Sequence, residues 1–208
     1  MTGTADGFEY HIAKNRLETL IDGIFAIAMT LLVLTIALPK PSAEQAPAVL
    51  PGLIFRLFPQ VFLCVIAFLI LAVFWLGHHR QFHFVQNVDP RLLWINIFLL
   101  IFIVLLPFST DIAGDYPDVA IAVLTFHVNV LIVGLLFCVH WRHICSSSRL
   151  CDRSLDPSII RLWFLQAALI PSIAFLAILV SFLNPFGSLL VYFIVPVPYY
   201  LLNHAHPG

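Results

Sequence analysis

Charge is what this 208-residue chain has least of: Asp, Glu, Lys and Arg make up 10% of it, against about 25% in a soluble globular domain. A chain of this size with so little polar surface cannot enclose its apolar side chains in water. With 61% hydrophobic residues it cannot be a disordered segment either. Four cysteines are too few for a disulfide scaffold, and nine glycines exclude a collagen repeat. The net charge of −1 leaves no basic field for nucleic acid. Nucleotide, serine-nucleophile and zinc-peptidase signatures (G-x-x-x-x-G-K, G-x-G-x-x-G, G-x-S-x-G, H-E-x-x-H) are all missing, so no enzyme is indicated. What remains is apolar. Mean hydropathy is +1.00 and phenylalanine alone contributes 19 residues, the composition of an integral membrane protein.

A helix needs about 20 mostly apolar residues to cross a bilayer. Six runs qualify, at about 20–38, 53–77, 92–108, 119–140, 159–183 and 188–202. None alternates with period two, which excludes barrel strands. The expected fold is therefore all-α and integral to the membrane: a short segment, 1–19, followed by one six-helix domain over 20–204. Pro39, Pro41, Pro47 and Pro51 punctuate the first connection, and Asp89-Pro90, Asp156-Pro157 and Asn184-Pro185 mark later ones. The second run contains Arg56 and Pro59, which predicts tilt or an interfacial first turn.

The ten cations are divided unequally. Lys14, Arg16, Arg80, Arg91, Arg142, Arg149, Arg153 and Arg161 fall on the N-terminal side or in even-numbered loops, whereas only Lys40 and Arg56 fall in odd ones. By the positive-inside rule both termini are expected in the cytoplasm, in a multi-pass protein of the cell membrane. The loop after the third run, with Asp111, Asp115 and Asp118, is expected outside. No cleavable signal peptide is read in Met1–Arg16. Cys64 and Cys138 fall within spans, and Cys145 and Cys151 in a cytoplasmic loop where thiols stay reduced.

Ionisable groups inside spans are costly and mark function. Asp22 lies within the first apolar run and needs a partner or a place at the interface as a helix cap. Arg16 precedes it by about 9 Å of helix. His78, His79 and His83 close the second run with Arg80, at the depth of Asp22, and Asn96 in the third run is a further polar candidate. His79 and His83, at i and i+4, have the spacing of two metal ligands but no carboxylate beside them, and no metal or other cofactor is expected. His127 and Asn129 form a weaker polar pair in the fourth run. Along the first run Gly23, Ala26, Ala28 and Thr30 suit close helix approach. Ile27, Thr30, Leu31 and Leu34 share a stripe at i, i+3, i+4, i+7. In one copy such a stripe is core or lipid-facing; around a symmetry axis it would ring a narrow pore.

The run from Arg16 through Asp22-Gly23-Ile24-Phe25-Ala26-Ile27 to Thr30-Leu31-Leu32-Val33-Leu34 resembles the first helix of the transmembrane-protein-175 potassium channel family, whose signature is R-x-x-x-F-S-D and a G-V-F-A-I-x-x-T-L-L-V-L-like continuation. Trp75, His78-His79-Arg80, Leu93-Trp94-Ile95-Asn96 and Leu105-Leu106-Pro107-Phe108 extend the likeness, which is best over 16–109. Leu20 and Ile21 depart from the family Phe-Ser. The resemblance implies a potassium-permeable cation channel of single six-helix repeats, assembled as a homotetramer in membrane lipid, passing K⁺ and other monovalent cations. It implies a constriction of Ile27, Thr30 and Leu34 in place of a T-V-G-Y-G carbonyl filter, which is absent. It also implies an anchoring network of Arg16, Asp22, His78, His79 and Asn96. Two rival readings are a small secondary transporter or proton pathway using Asp22 and the histidines, and a membrane enzyme built on His78, His79 and His83.

Overall fold

The computed structural model describes residues 14–37, 39–146, 150 and 156–194. Among them the chain is helical, without β-strands: α1 (Lys14–Leu31) ending in a 3₁₀ turn (Leu32–Thr35), α2 (Ala46–Arg56), α3 (Phe58–His83), α4 (Pro90–Asp115), α5 (Ala120–Ser146), α6 (Pro157–Ser181), and α7 (Pro185–Leu189) with a second 3₁₀ turn (Leu190–Ile194). Five of these segments are long and apolar enough to cross a membrane. The sixth expected span, 188–202, is described only to Ile194, as a short apolar piece; 195–202 lies outside the described residues.

Helix starts follow the proline signals. Asp89 and Asp156 each precede a proline, and each carboxylate accepts from a first-turn N–H, of Leu92 at 2.6 Å and Ser158 at 2.8 Å. Asn184 does the same for Gly187 ahead of α7. Proline fits the first helical position because that N–H has no helical partner anyway.

Three boundaries differ from the sequence reading. The first helix reaches back at least to Lys14, the first described residue, because Asn15–Thr19 continue the helix into the polar segment. The second run is two helices, α2 and α3, broken at Leu57. Pro59 has no N–H to give the Phe55 carbonyl, so the ladder lapses there. Asp111 and Asp115 belong to the last turns of α4 rather than to a loop.

Successive long helices run antiparallel, as their end-to-end contacts show. His143 near the end of α5 meets Asp89 at the start of α4, and the Trp141 indole donates to the Ile160 carbonyl at the start of α6. Among the described residues, Lys14, Arg16, Arg80, Arg91, Arg142 and Arg161 therefore gather at one end of the bundle. Without a hydrophobic force between helices in lipid, close packing and polar contacts hold them. Gly134 of α5 lies so near α6 that a Cβ there would sit 2.6 Å from Cδ of Pro171. At the foot of the bundle Ser188 Oγ donates to the Pro185 carbonyl and accepts from His127 Nε2 at 2.7 Å, leaving Nδ1 to accept from Tyr192 at 3.0 Å. His127 thus ties α5 to the last described turn. Asn129 instead donates to Ser109 of α4.

Candidate functional site

Helix α1 has two unlike faces. Leu17, Ile21, Phe25, Ala28 and Leu32 are buried against the bundle, packed on α3 and α4. On the other side lie Leu20, Gly23, Ile27, Thr30, Leu31 and Leu34. Ile27 is 59% exposed and Leu34 74%. The four stripe residues expected from spacing thus do share an outward face. The small residues do not: Ala28 points into the core while Gly23, Ala26 and Thr30 are exposed. The Thr30 hydroxyl donates to the Ile27 carbonyl at 2.8 Å, so it presents oxygen lone pairs outward. Ile21, one of the two departures from the resemblance, is fully buried; the other, Leu20, extends the exposed face.

The polar residues sort into separate pairs rather than one cluster. Asp22 sits at the edge of the exposed face, and its carboxylate accepts from the Trp75 indole of α3 at 2.9 Å. His78 and Asn96 are joined. Asn96 spends its NH₂ on the Leu92 carbonyl, so its Oδ1 accepts from His78 Nε2 at 2.8 Å. That bond places the His78 proton on Nε2. The His78 ring also stacks on Phe82 at 4.6 Å and lies 5.1 Å from His140. His79 is exposed and stands 3.9 Å from Glu18 of α1. Arg16 is exposed, and among the described residues it makes no hydrogen bond or ion pair with Asp22. Its Cα lies on the exposed side of α1, about 120° around the helix from that of Asp22 at 100° per residue.

Sequence reasoning passed over three partners. Trp75 is what holds Asp22; its indole N–H one turn before His79 was the available signal. His140 is fully buried and its Nδ1 donates to Gln81 Oε1 at 2.6 Å, leaving Nε2 without a partner. Gln60, at the start of α3, donates to Asp115 of α4 at 2.6 Å and accepts from the Ala37 N–H just beyond α1 at 3.3 Å. These bonds join residues 23 to 59 positions apart, which no local pattern encodes. Among the described residues no three His, Cys, Asp or Glu side chains converge on a metal position; Cys151 lies outside them.

An isolated helix face that is apolar, exposed and backed by a rigid bundle has no chemistry of its own. The family model described as endosomal/lysosomal potassium channel TMEM175 matches residues 16–107, which hold α1, Trp75, His78 and Asn96. A Streptomyces collinus protein named as a potassium channel is 30% identical over 147 residues, 69% of this chain and 70% of that one. This chain belongs to the TMEM175 family. A potassium channel of Chamaesiphon minutus is 28% identical over 91% of this chain and 95% of its own. The crystal structure of a lysosomal potassium-selective channel TMEM175 homologue from the same organism superposes with a TM-score of 0.77 at 27% identity, covering 90% of this chain and 96% of that one. The likeness to the solved TMEM175 homologue therefore spans nearly the whole bundle, and the family model covers the part where α1 meets α3 and α4.

Proposed function

We propose that this chain is one subunit of a potassium-permeable cation channel, a multi-pass protein of the cell membrane whose pore is lined by α1. The observation that carries the reading is the outward stripe of Ile27, Thr30 and Leu34. It is apolar and solvent- or lipid-facing in one copy, and it lies inside the residues that match the channel family. Four copies around an axis would turn each of these residues into a ring, with Ile27 as the narrowest layer and Leu34 further out. An ion crossing such rings must shed part of its water. The more weakly hydrated K⁺ then passes more easily than Na⁺, with no carbonyl filter involved.

The rest of the bundle serves as the frame. Asp22 on Trp75 and His78 on Asn96 fix α1 and α3 against α4, so that the stripe is presented at a set angle. In the assembly, Arg16 would reach Asp22 or His79 across a subunit boundary, since within one chain it faces away. With the cation-rich end in the cytoplasm, both termini lie inside, as the six-span reading of the 20–204 domain requires after a cytoplasmic segment ahead of it. No cofactor or catalytic step has a place in this mechanism.

The test is ion flux from liposomes holding purified protein, under K⁺ and then Na⁺ gradients, with Ile27→Ala alongside. Flux beyond a carrier's turnover, preferring K⁺ and losing part of that preference in Ile27→Ala, is the expected result. Unchanged selectivity and conductance in Ile27→Ala would remove Ile27 from the constriction. Saturable, counter-ion-coupled flux would put a transporter in the channel's place.

A further inference from the structure

Helix α1 changes its winding just before the last residue of its outward stripe. Lys14–Leu31 is α-helical, and Leu32–Thr35 is a 3₁₀ turn. In a continuing α-helix the Ile36 N–H would bond the Leu32 carbonyl, four residues back. It bonds the Val33 carbonyl instead, three residues back, at 3.3 Å. Local sequence does not force the change. Leu31–Thr35 holds neither proline nor glycine, and Pro39 deprives only the Thr35 carbonyl of its N–H.

The cause lies in what the Leu32 carbonyl meets. The Thr35 hydroxyl donates to it at 2.7 Å, and the Cys64 thiol of α3 at 3.4 Å. Leu32 is fully buried and Thr35 is 9% exposed, so water competes little for that carbonyl. The thiol bond is the weaker of the two. Two residues past the turn, Gln60 of α3 takes the Ala37 N–H. Side chains rather than the α-helical ladder thus set the course of the chain from Leu32 to Ala37.

That course moves one residue in particular. Three residues of α-helix turn about 300° and rise about 4.5 Å, whereas three of 3₁₀ helix turn about 360° and rise about 6 Å. Leu34 therefore stands in line with Leu31, about 60° around and about 1.5 Å further along than an α-helix would put it. Leu34 remains outward, while Thr35 beside it turns into the bundle. Ile27 lies within the α-helical part, where the helix itself decides its direction.

We propose that Thr35, backed by Cys64, is a positioning residue for the conduction path: it holds the end of α1 in the 3₁₀ turn and so sets the angle and height of the Leu34 layer. The inference rests on the pore reading above and deepens it. The Ile27 layer is built by α1 alone; the Leu34 layer is built by α1 together with α3.

The test is the K⁺/Na⁺ permeability ratio, from reversal potentials of the full chain in planar bilayers. Thr35→Val keeps the side-chain shape and deletes the hydroxyl. It is expected to shift the ratio about twofold or more, the lower bound for coupled neighbours. Thr35→Ser, which keeps the hydroxyl, should leave the wild-type ratio. In a Leu34→Ala background Thr35→Val should shift nothing further, because the side chain that it positions is gone. Cys64→Ala, expected to give a smaller shift with the same dependence on Leu34, serves if Thr35→Val does not fold. An unchanged ratio in Thr35→Val, or in Cys64→Ala if that variant stands in, would overturn the assignment, as would an equal shift with and without Leu34. Should Leu34→Ala alone leave the ratio unchanged, the pore layer itself fails, and the positioning role with it.

Discussion

Asp22 is the residue on which the sequence argument turned, and its partner is an indole rather than a cation. By accepting from Trp75, the carboxylate is oriented at the rim of the exposed face. Trp75→Phe keeps the ring and deletes the donor. We expect a loss of about 1 kcal/mol, the scale of interhelical hydrogen bonds in membranes, and a melting point about 2–4 °C lower for a protein of this size, read by thermal unfolding in detergent. His78 and Asn96 show the opposite arrangement: each finds its partner inside one buried pair, leaving His79 to face Glu18 outside it. The presence of a polar pair at this depth was legible, since a lone amide in lipid demands one. Which histidine supplies it was not legible, because His78 and His79 are adjacent and only the rotation of α3 decides between them.

Elements were read from apolar length and from proline, and both signals worked where they act locally. Asp-Pro and Asn-Pro start α4, α6 and α7 as their capping chemistry requires. Apolar length alone overran at Leu57, since hydrophobicity is continuous through a break that backbone hydrogen bonding makes. It also cut α1 short, because polar residues that continue a helix into the interface carry no apolar signal. Interior prolines are a different matter. Pro171 sits within α6 and packs face to face on Gly134, where any Cβ would collide with ring atoms that cannot move aside. Gly134→Ala should therefore cost about 1–3 kcal/mol, the range for overpacking, and lower the yield of folded protein by size-exclusion chromatography. A Gly23→Ala control, at a position with nothing within 4 Å, should leave that yield unchanged.

At the scale of the molecule, the chain is a framed helix. One face of α1 is fixed in the bundle, and the other is left apolar and open with Ile27 and Leu34 more than half exposed. In the proposed channel, assembly completes this surface. Native mass spectrometry or light scattering of the purified protein should give four copies, and a tetramer-disrupting Leu31→Arg on the same face should yield smaller species that carry no flux. A stable monomer that conducts would remove the axial pore from the mechanism. The sequence alone left the stripe open between lipid, core and pore, since periodicity says which residues share a face and nothing about what covers it. The bundle eliminates core, and kinship with the channel family favours the pore.

Gln60 bonds both the strand of chain leaving α1 and the end of α4, at the opposite end of the bundle from Asp22 and Trp75. The helix facing outward is thus pinned to α3 at its foot and at its head. A lone rod pinned twice cannot swing, and a bend at its middle would break the register of the stripe. In the proposed assembly, dilation of a lumen between copies would then come from whole bundles leaning apart, hinged at their contacts. The aperture would be a property of how neighbours sit in the bilayer, and the thickness and tension of that bilayer would enter its mechanics directly.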